Sequence, residues 1–216
     1  MADALERLRR IRLAPVIVID DPKDAAPLAA ALADGGLPCA EVTFRTAAAA
    51  ESLRRMADAR PDMLLGAGTV LTPRQAAEAR AAGAQFIVSP GLNPVVVDYC
   101  LEQGIPVFPG VCTPTEIEAG LQRGLEVLKF FPAEPAGGLA YLKAISAPYS
   151  MVEFIPTGGI NAEKLPSYLS FRSVVACGGS WMAPAEWIRA GDFERIRQET
   201  AKAVETIQQI TGGSQS

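Results

Sequence analysis

Histidine is absent from this sequence of 216 residues. Because histidine is the commonest general base and a common metal ligand, its absence excludes Ser-His-Asp and Cys-His catalysis as well as HExxH metal sites. The sequence also lacks a clustered set of carboxylates that would hold a divalent ion, so we expect neither a metal nor any other cofactor. Acid–base chemistry must then depend on carboxylates, lysine, tyrosine or water.

Other shortages limit the partners and the compartment. The net charge is −4 and the sequence pI is about 5.0, so no basic excess attracts nucleic acid or an acidic membrane surface. No apolar run approaches the ~20 residues that a membrane helix requires. The four cysteines form no CxxC pair, and the charged N-terminal segment has no apolar signal-peptide core. We therefore expect a cytoplasmic protein with reduced thiols.

Eight short apolar runs alternate with Ala-, Leu- and Glu-rich segments of helical length. The runs are APVIVID, CAEVTF, MLLGAG, QFIVSP, IPVFPG, VLKFFP, VEFIPT and SVVACG. Capping side chains before first-turn prolines mark helix starts at Thr72, Asn93 and Thr113, and Glu116 completes a capping box with Thr113. Strands and helices that alternate in this way predict a parallel sheet covered by helices.

Eight such units in a chain of this length predict a single α/β domain over residues 1–216, a compact (β/α)8 TIM barrel. An extra N-terminal helix is expected at residues 1–12. The last helix is expected to end near Ile210, and residues 211–216 are expected to form a disordered tail. A doubly wound open sheet is the structural alternative, but no GxGxxG motif follows the first strand. In a TIM barrel, the chemistry belongs at the carboxyl ends of the strands.

The second run ends in AEVTFRT and carries polar side chains at alternate positions. Since side chains along a strand alternate between its faces, Glu41, Thr43 and Arg45 share one face, and Val42 and Phe44 share the other. The apolar pair suits the helix layer, which directs the acid, the hydroxyl and the guanidinium into the barrel. A structural ion pair between Glu41 and Arg45 is the alternative interpretation.

The sixth run, VLKFFP, contains a lysine among apolar residues. Val127, Lys129 and Phe131 share a face opposite Leu128 and Phe130, so we expect the Lys129 amine to point into the barrel. Burial favours an uncharged amine, which is a nucleophile that forms Schiff bases with carbonyl compounds. The alternative is a lysine whose amine reaches the solvent at the barrel mouth.

The seventh and eighth runs are followed by glycine pairs, in PTGGI and CGGSW. The loops after these two strands are the usual phosphate site of a TIM barrel, where glycines let backbone N–H groups approach the phosphate oxygens. We expect a phosphate cradle made by Gly158, Gly159, Gly178, Gly179 and the Ser180 hydroxyl. The alternative interpretation of each glycine pair is a simple turn.

Together these motifs resemble the 2-keto-3-deoxy-6-phosphogluconate (KDPG) and 4-hydroxy-2-oxoglutarate (KHG) aldolase family, whose members are metal-independent class I aldolases. The segments EVTFRT, GAGTVL, GAQFIVSPGL, PGVCTPTE, KFFPAE, GGL, PTGGI and GGSWM occur in family order and at family spacing. The resemblance implies that Lys129 forms the imine, Glu41 transfers protons and Arg45 holds the substrate carboxylate. It also implies a homotrimer that acts on a phosphorylated 2-keto sugar acid.

The resemblance extends to further pocket residues. It assigns Thr69, Pro90 and Phe131 to the pocket for the substrate carboxylate and keto group, and Gly158, Gly159 and Ser180 to the phosphate site. One departure from the family pattern is Cys112, which stands where serine or another small residue is common.

Four alternatives compete with cleavage of the phosphorylated gluconate derivative. The same mechanism serves 4-hydroxy-2-oxoglutarate, which yields pyruvate and glyoxylate, or the galactonate epimer of the phosphorylated acid. A catalytically silent phosphate-binding barrel would be expected to lack at least one of Lys129, Glu41 and Arg45, and all three are present. A metal-dependent aldolase is disfavoured because the chain has no histidine.

Overall fold

The computed structural model describes residues 2–212, in which eight parallel strands alternate with helices. The strands are β1 (Leu13–Ile17), β2 (Cys39–Thr43), β3 (Leu64–Gly68), β4 (Phe86–Ser89), β5 (Val107–Val111), β6 (Val127–Phe130), β7 (Glu153–Pro156) and β8 (Cys177–Gly179). The α-helices are α1 (Ala2–Ile11), α2 (Ala25–Asp34), α3 (Ala49–Ala59), α4 (Pro73–Ala81), α5 (Pro94–Glu102), α6 (Pro114–Leu121), α7 (Gly138–Ser146), α8 (Leu165–Leu169), α9 (Ala185–Ala190) and α10 (Phe193–Gly212). The predicted TIM barrel with an N-terminal helix is confirmed.

The strands form one sheet in the order β7-β6-β5-β4-β3-β2-β1-β8. In the register of the sheet, Lys129 of β6 lies between Gly110 of β5 and Ile155 of β7. An isolated parallel bridge between Thr157 and Gly178 joins the ends of β7 and β8, so that the barrel is nearly closed. The carboxyl ends of the strands therefore meet around one opening.

Apolar side chains pack in two layers, one on each face of the sheet. The outer layer fills the space between the strands and the helices and includes Val42, Leu128 and Phe130. The inner layer fills the barrel, and its members on the strands or next to them are Ala14, Cys39, Leu64, Phe86, Val88, Phe108, Val127, Ile155, Val175 and Ala176. The alternation predicted for β6 is confirmed, because Val127 and Leu128 lie in different layers. Burial of apolar area on both faces is what stabilises a parallel sheet of this kind.

Helix α1 covers the amino-terminal end of the barrel. Ala4 and Leu8 pack against the inner layer. The Arg7 guanidinium donates to the Gln85 side-chain oxygen at 2.9 Å and to the Asp62 carbonyl oxygen at 2.6 Å, close to the starts of β4 and β3. The helix thus closes the barrel at the end opposite to the carboxyl ends of the strands.

The three predicted helix starts are confirmed. The side chains of Thr72, Asn93 and Thr113 each accept a hydrogen bond from a backbone N–H in the first turn of α4, α5 and α6, respectively. Glu116 completes the capping box with Thr113. These caps satisfy N–H groups that have no partner within the helix, and they fix the positions of the loops that leave β3, β4 and β5.

The carboxyl-terminal helix is longer than predicted. Helix α10 reaches Gly212, so residues 211 and 212 of the expected 211–216 tail are helical. The Thr211 hydroxyl donates to the Ile207 carbonyl at 3.1 Å, a local hydrogen bond that is compatible with a continued helix. Residues 213–216 lie outside the described residues.

Candidate active site

Lys129 lies inside the barrel. It is 5% exposed, and its strand neighbours Leu128 and Phe130 belong to the outer layer. Its amine lies 5.1 Å from the centroid of the Phe131 ring, the residue predicted to share its face. The low exposure excludes the alternative of a lysine that reaches the solvent at the mouth.

Glu41 shares the interior with Lys129. The Lys129 amine donates to Glu41 Oε1 at 3.4 Å, although the two residues are 88 positions apart in the sequence. Glu41 is 3% exposed. Its ion-pair partner within residues 2–212 is Lys129 and not Arg45, so the structural pair between Glu41 and Arg45 is not formed. A carboxylate this close to the amine can exchange protons with it, or with a substrate that is bound to it.

Arg45 lies at the mouth of the barrel, where its side chain is exposed. Its Nε donates to Thr69 Oγ1 at 3.2 Å. Thr69 has a φ of +56°, in the left-handed region that is unusual for a β-branched residue. Backbone strain of this kind persists only where the surrounding structure imposes it, and it is frequent at binding sites. The hydrogen bond orients the guanidinium, which still has N–H groups for a two-point contact with a carboxylate.

Two other residues of AEVTFRT lie next to this pair. Thr43 is buried, and its hydroxyl donates to the Ile17 carbonyl at 2.8 Å. Phe44 packs against the outer layer. Thr43 thus links β2 to β1 and is not among the residues that line the cavity.

A cavity of about 290 Å³ opens at the carboxyl ends of β1, β7 and β8. It is lined by Val16, Val18, Arg45, Phe131, Thr157, Gly158, Gly159, Ile160, Gly178, Gly179, Ser180, Ala183, Pro184 and Ala185. Among these lining residues, only Arg45 carries a charge. The structure therefore brings together the two predicted glycine pairs, Ser180, Arg45 and Phe131. Because Phe131 also contacts the Lys129 amine, it connects the cavity to the buried pair.

The first glycine pair forms a turn that other residues rarely adopt. Gly158 and Gly159 have φ values of +104° and +80°, which glycine reaches without a side-chain clash. A turn of this kind can direct backbone N–H groups toward an anion. The exposed Ser180 lies at the same cavity. These features are compatible with a phosphate site that uses backbone groups and a hydroxyl.

Pro90 does not line this cavity. It lines a neighbouring depression of about 340 Å³ together with Ser89, Leu92 and Glu116. Pro90 directly follows β4, so it lies at the same end of the barrel as the other predicted residues. Its assignment to the pocket for the substrate carboxylate and keto group stays a prediction.

The sequence interpretation missed several residues of the cavity. Thr157 directly precedes the first glycine pair, and Val16 and Val18 alternate along β1 and its extension. The period-two rule that selected Glu41 would also have selected these two valines. The two valines were not selected because an apolar side chain gives no chemical reason to assign it to a site.

The thiols are unpaired. Burial raises the pKa of Cys39 to about 12, and the charge of nearby Glu41 acts in the same direction. Burial also raises the pKa of Cys100 to about 11. Half-buried Cys112 has a pKa raised by burial and by Glu116. Because the thiolate is the reactive form, these cysteines are poor nucleophiles at neutral pH.

Residues 2–212 contain no group of three or more histidine, cysteine, aspartate or glutamate residues that could hold a metal ion. In the same part of the chain, no helix has both the length and the apolar character that crossing a membrane requires.

Known proteins are similar to this chain in sequence and in fold. The family model of the KDPG and KHG aldolases matches residues 5–199, which include all eight strands. The 2-dehydro-3-deoxy-phosphogluconate aldolase of Treponema pallidum is 51% identical over 208 residues, which cover 96% of this chain and 98% of that protein.

Two solved structures extend the comparison. KDPG aldolase from Legionella pneumophila, with pyruvate captured at low pH as a covalent carbinolamine intermediate, has a TM-score of 0.89 and 40% identity, over 93% of this chain and 98% of that one. The 2-keto-3-deoxy-6-phosphogluconate aldolase of Zymomonas mobilis with 3-phosphoglycerate has a TM-score of 0.87 and 39% identity, over 94% of this chain and 95% of that one. The chain described here therefore belongs to the KDPG and KHG aldolase family.

Proposed function

We propose that this protein is a class I aldolase that cleaves 2-dehydro-3-deoxy-6-phosphogluconate to pyruvate and glyceraldehyde 3-phosphate. The observation that carries the proposal is the buried amine of Lys129, 3.4 Å from the buried carboxylate of Glu41. The Treponema relative of that name matches nearly the whole chain, and pyruvate is held covalently in the Legionella structure.

The reaction begins at Lys129. After it transfers a proton to Glu41, the amine attacks the C2 carbonyl carbon, and loss of water with return of that proton gives a protonated imine. Glu41, directly or through a water, removes the proton of the C4 hydroxyl. The C3–C4 bond then breaks toward the imine, so that C4 becomes the aldehyde of glyceraldehyde 3-phosphate and an enamine of pyruvate remains. Protonation of C3 and hydrolysis of the imine release pyruvate and restore Lys129.

The two ends of the substrate are held by different parts of the mouth. Arg45, oriented by Thr69, binds the carboxylate, and the glycine turns with Ser180 bind the phosphate. Phe131 and Pro90 form walls that restrict the position of the carbon chain between these ends. Holding both ends presents the ketone to the amine in a reactive geometry, which lowers the entropic part of the barrier.

The covalent step gives the direct test. The protein is reduced with borohydride in the presence of pyruvate, digested, and analysed by peptide mass spectrometry. We expect a pyruvate adduct on Lys129. Lys129→Met, which keeps most of the side-chain volume, should lose both the adduct and measurable turnover while its thermal melt shows a folded protein.

A matched variant controls for a nonspecific effect of losing a lysine. Lys143 lies on α7, is exposed, and has its amine over the Phe171 ring at 5.7 Å. Lys143→Met should keep both the Lys129 adduct and turnover. An adduct confined to another lysine, or no adduct at all, would show that the proposed mechanism is wrong.

The substrate is chosen by the cavity that contains the glycine turns. A phosphorylated six-carbon acid fills this cavity, whereas 4-hydroxy-2-oxoglutarate leaves it unused, so we expect higher kcat/KM for the phosphorylated acid. The galactonate epimer differs at one stereocentre and uses the same contacts. Turnover of the three purified substrates ranks them, and a preference for 4-hydroxy-2-oxoglutarate would contradict the assignment of the cavity to phosphate.

The domain, assembly and compartment follow as further parts of the proposal. We infer that residues 1–216 form one barrel domain and that the protein is a cytoplasmic homotrimer. The unpaired thiols suit a reducing compartment, and the family resemblance implies the trimer. Sedimentation equilibrium of the purified protein tests the assembly.

A further inference from the structure

We propose that Glu134 is a positioning residue that fixes the Gly158–Gly159 turn for the phosphate end of the substrate, an inference that rests on the proposed function. Glu134 lies between β6, which carries Lys129, and α7. It is not among the residues that line the cavity. Its effect on the reaction would therefore be indirect, through the turn.

The backbone around Glu134 is bonded to the glycine turn. The N–H of Ala133 donates to the Thr157 carbonyl at 2.8 Å, and the N–H of Glu134 donates to the Gly158 carbonyl at 3.0 Å. The segment that follows Lys129 and Phe131 thus runs beside the segment that forms the turn. A displacement of either segment would move the other.

The stem of the Glu134 side chain packs against the turn itself. A Cβ added to Gly159 would lie 2.7 Å from Glu134 Cβ and 3.0 Å from Glu134 Cγ. The glycine and the glutamate are therefore in one tightly packed contact. This contact limits the motion of a residue whose backbone is otherwise highly permissive.

The carboxylate of Glu134 is fixed by two residues beyond the turn. Glu134 Oε1 accepts a hydrogen bond of 2.6 Å from the Tyr168 hydroxyl, and the Lys164 amine forms an ion pair with Oε2. Tyr168 is 1% exposed and lies on α8, and Lys164 is the N-cap residue of α8.

The protonation states of Glu134 and Tyr168 favour the hydrogen bond between them. The Lys164 ammonium and the Tyr168 hydroxyl lower the pKa of Glu134, so it carries a charge at neutral pH. Burial and the bond to Glu134 raise the pKa of Tyr168, which stays a donor. A hydrogen bond between a charged acceptor and a buried hydroxyl is stronger than one between neutral groups.

Glu134 consequently holds the turn at both of its ends. At the start of the turn, the Gly158 carbonyl accepts a hydrogen bond from the Glu134 N–H. After the turn, helix α8 is attached to the Glu134 carboxylate through Tyr168 and Lys164. A phosphate that binds backbone N–H groups requires those groups to be in place beforehand, because ordering them on binding would reduce affinity. We expect Glu134 to affect binding of the phosphate and not formation of the imine.

Three variants separate the contacts. Tyr168→Phe removes only the hydroxyl, Glu134→Gln keeps an acceptor for Tyr168 but loses the charge, and Glu134→Ala removes both contacts. We expect Glu134→Ala and Tyr168→Phe to raise KM for the phosphorylated substrate about tenfold, with a smaller rise for Glu134→Gln. The rate of borohydride trapping with pyruvate, which has no phosphate, should change less than about twofold in the same proteins. Glu163→Gln, an equal change of charge at an exposed position beside Lys164, should leave KM and trapping at the values of the unaltered protein.

A binding measurement makes this test independent of turnover. Titration calorimetry with 3-phosphoglycerate should show binding to the unaltered protein and about tenfold weaker binding to Glu134→Ala and Tyr168→Phe. If the unaltered protein binds this probe but forms no Lys129 adduct, the proposed function fails while this inference stands. Equal affinity in all proteins, no binding to the unaltered protein, or equal losses in KM and in pyruvate trapping would each overturn the inference. A lower melting temperature without a change in KM would assign Glu134 to stability alone, which also overturns it.

Discussion

The position of the Glu41 carboxylate depends on Gly68, and this dependence gives the sharpest prediction. A Cβ added to Gly68 would lie 2.1 Å from Glu41 Oε1, 2.7 Å from its Cγ and 2.8 Å from its Cδ. Ordinary van der Waals contact begins at 3.4 Å, so the carboxylate of a Gly68→Ala variant must move by roughly 1 Å, a displacement that can cost about 100-fold in rate. That loss corresponds to about 2.7 kcal/mol of transition-state stabilisation.

We therefore expect Gly68→Ala to lower kcat about 100-fold while the protein stays folded. The overpacked contact should cost about 1–3 kcal/mol of unfolding free energy. Pyruvate release, followed with lactate dehydrogenase and NADH, measures kcat, and urea denaturation measures the stability. Gly91→Ala is the steric control, because a Cβ at Gly91 would meet nothing within 4 Å, and its unfolding free energy should be unchanged.

A second substitution tests the cause. Glu41→Asp shortens the side chain by one methylene, so the Gly68→Ala/Glu41→Asp double variant should lose less stability than the sum of the two single changes. The expected coupling is on the order of 1 kcal/mol, within the range for residues in contact. A kcat within threefold of the unaltered enzyme in Gly68→Ala, or strictly additive stabilities, would refute the argument that Gly68 makes room for the carboxylate.

Two other predictions concern the thiols and a helix cap. At pH 8 a disulfide reagent should modify half-buried Cys112 in the native protein and reach Cys39 and Cys100 only after unfolding. Burial excludes the reagent from these two thiols and raises the pKa of Cys39 to about 12 and that of Cys100 to about 11. Rapid labelling of Cys39 in the native protein would contradict this prediction. Thr113→Ala should lower the unfolding free energy by about 1 kcal/mol, since it removes the side chain that caps α6, whereas Thr113→Ser should retain it, and urea denaturation of both variants compares them.

The interior of the barrel could be predicted because side-chain alternation is a local property of a strand. In β6 all four residues are buried, so burial alone does not separate Lys129 from its neighbours. The period-two pattern did, because Leu128 and Phe130 are apolar on both sides of the lysine. The same rule placed Glu41 on the inner face of β2.

Contacts between distant polar residues could not be predicted in the same way. The order of residues within β2 does not say whether Glu41 pairs with Arg45 or with Lys129, since the outcome depends on the curvature of the sheet and on the space left by Gly68. The attachment of Glu134 to Tyr168 and Lys164 likewise joins segments that only the folded chain brings together. Pro90 illustrates a third limit. Its position after a strand predicts that it lies at the mouth of the barrel, but the sequence does not show which cavity the residue lines.

Helix α1 closes the amino-terminal end of the barrel. With Ala4 and Leu8 packed against the inner layer, the interior that contains Lys129 is closed at the amino-terminal end of the barrel. In the proposed mechanism, water that hydrolyses the imine on Lys129 would therefore enter from the same end as the substrate. For protein engineering, attachments placed before α1 should leave Ala4 and Leu8 packed against the inner layer, because displacing them would expose apolar side chains at the amino-terminal end of the barrel.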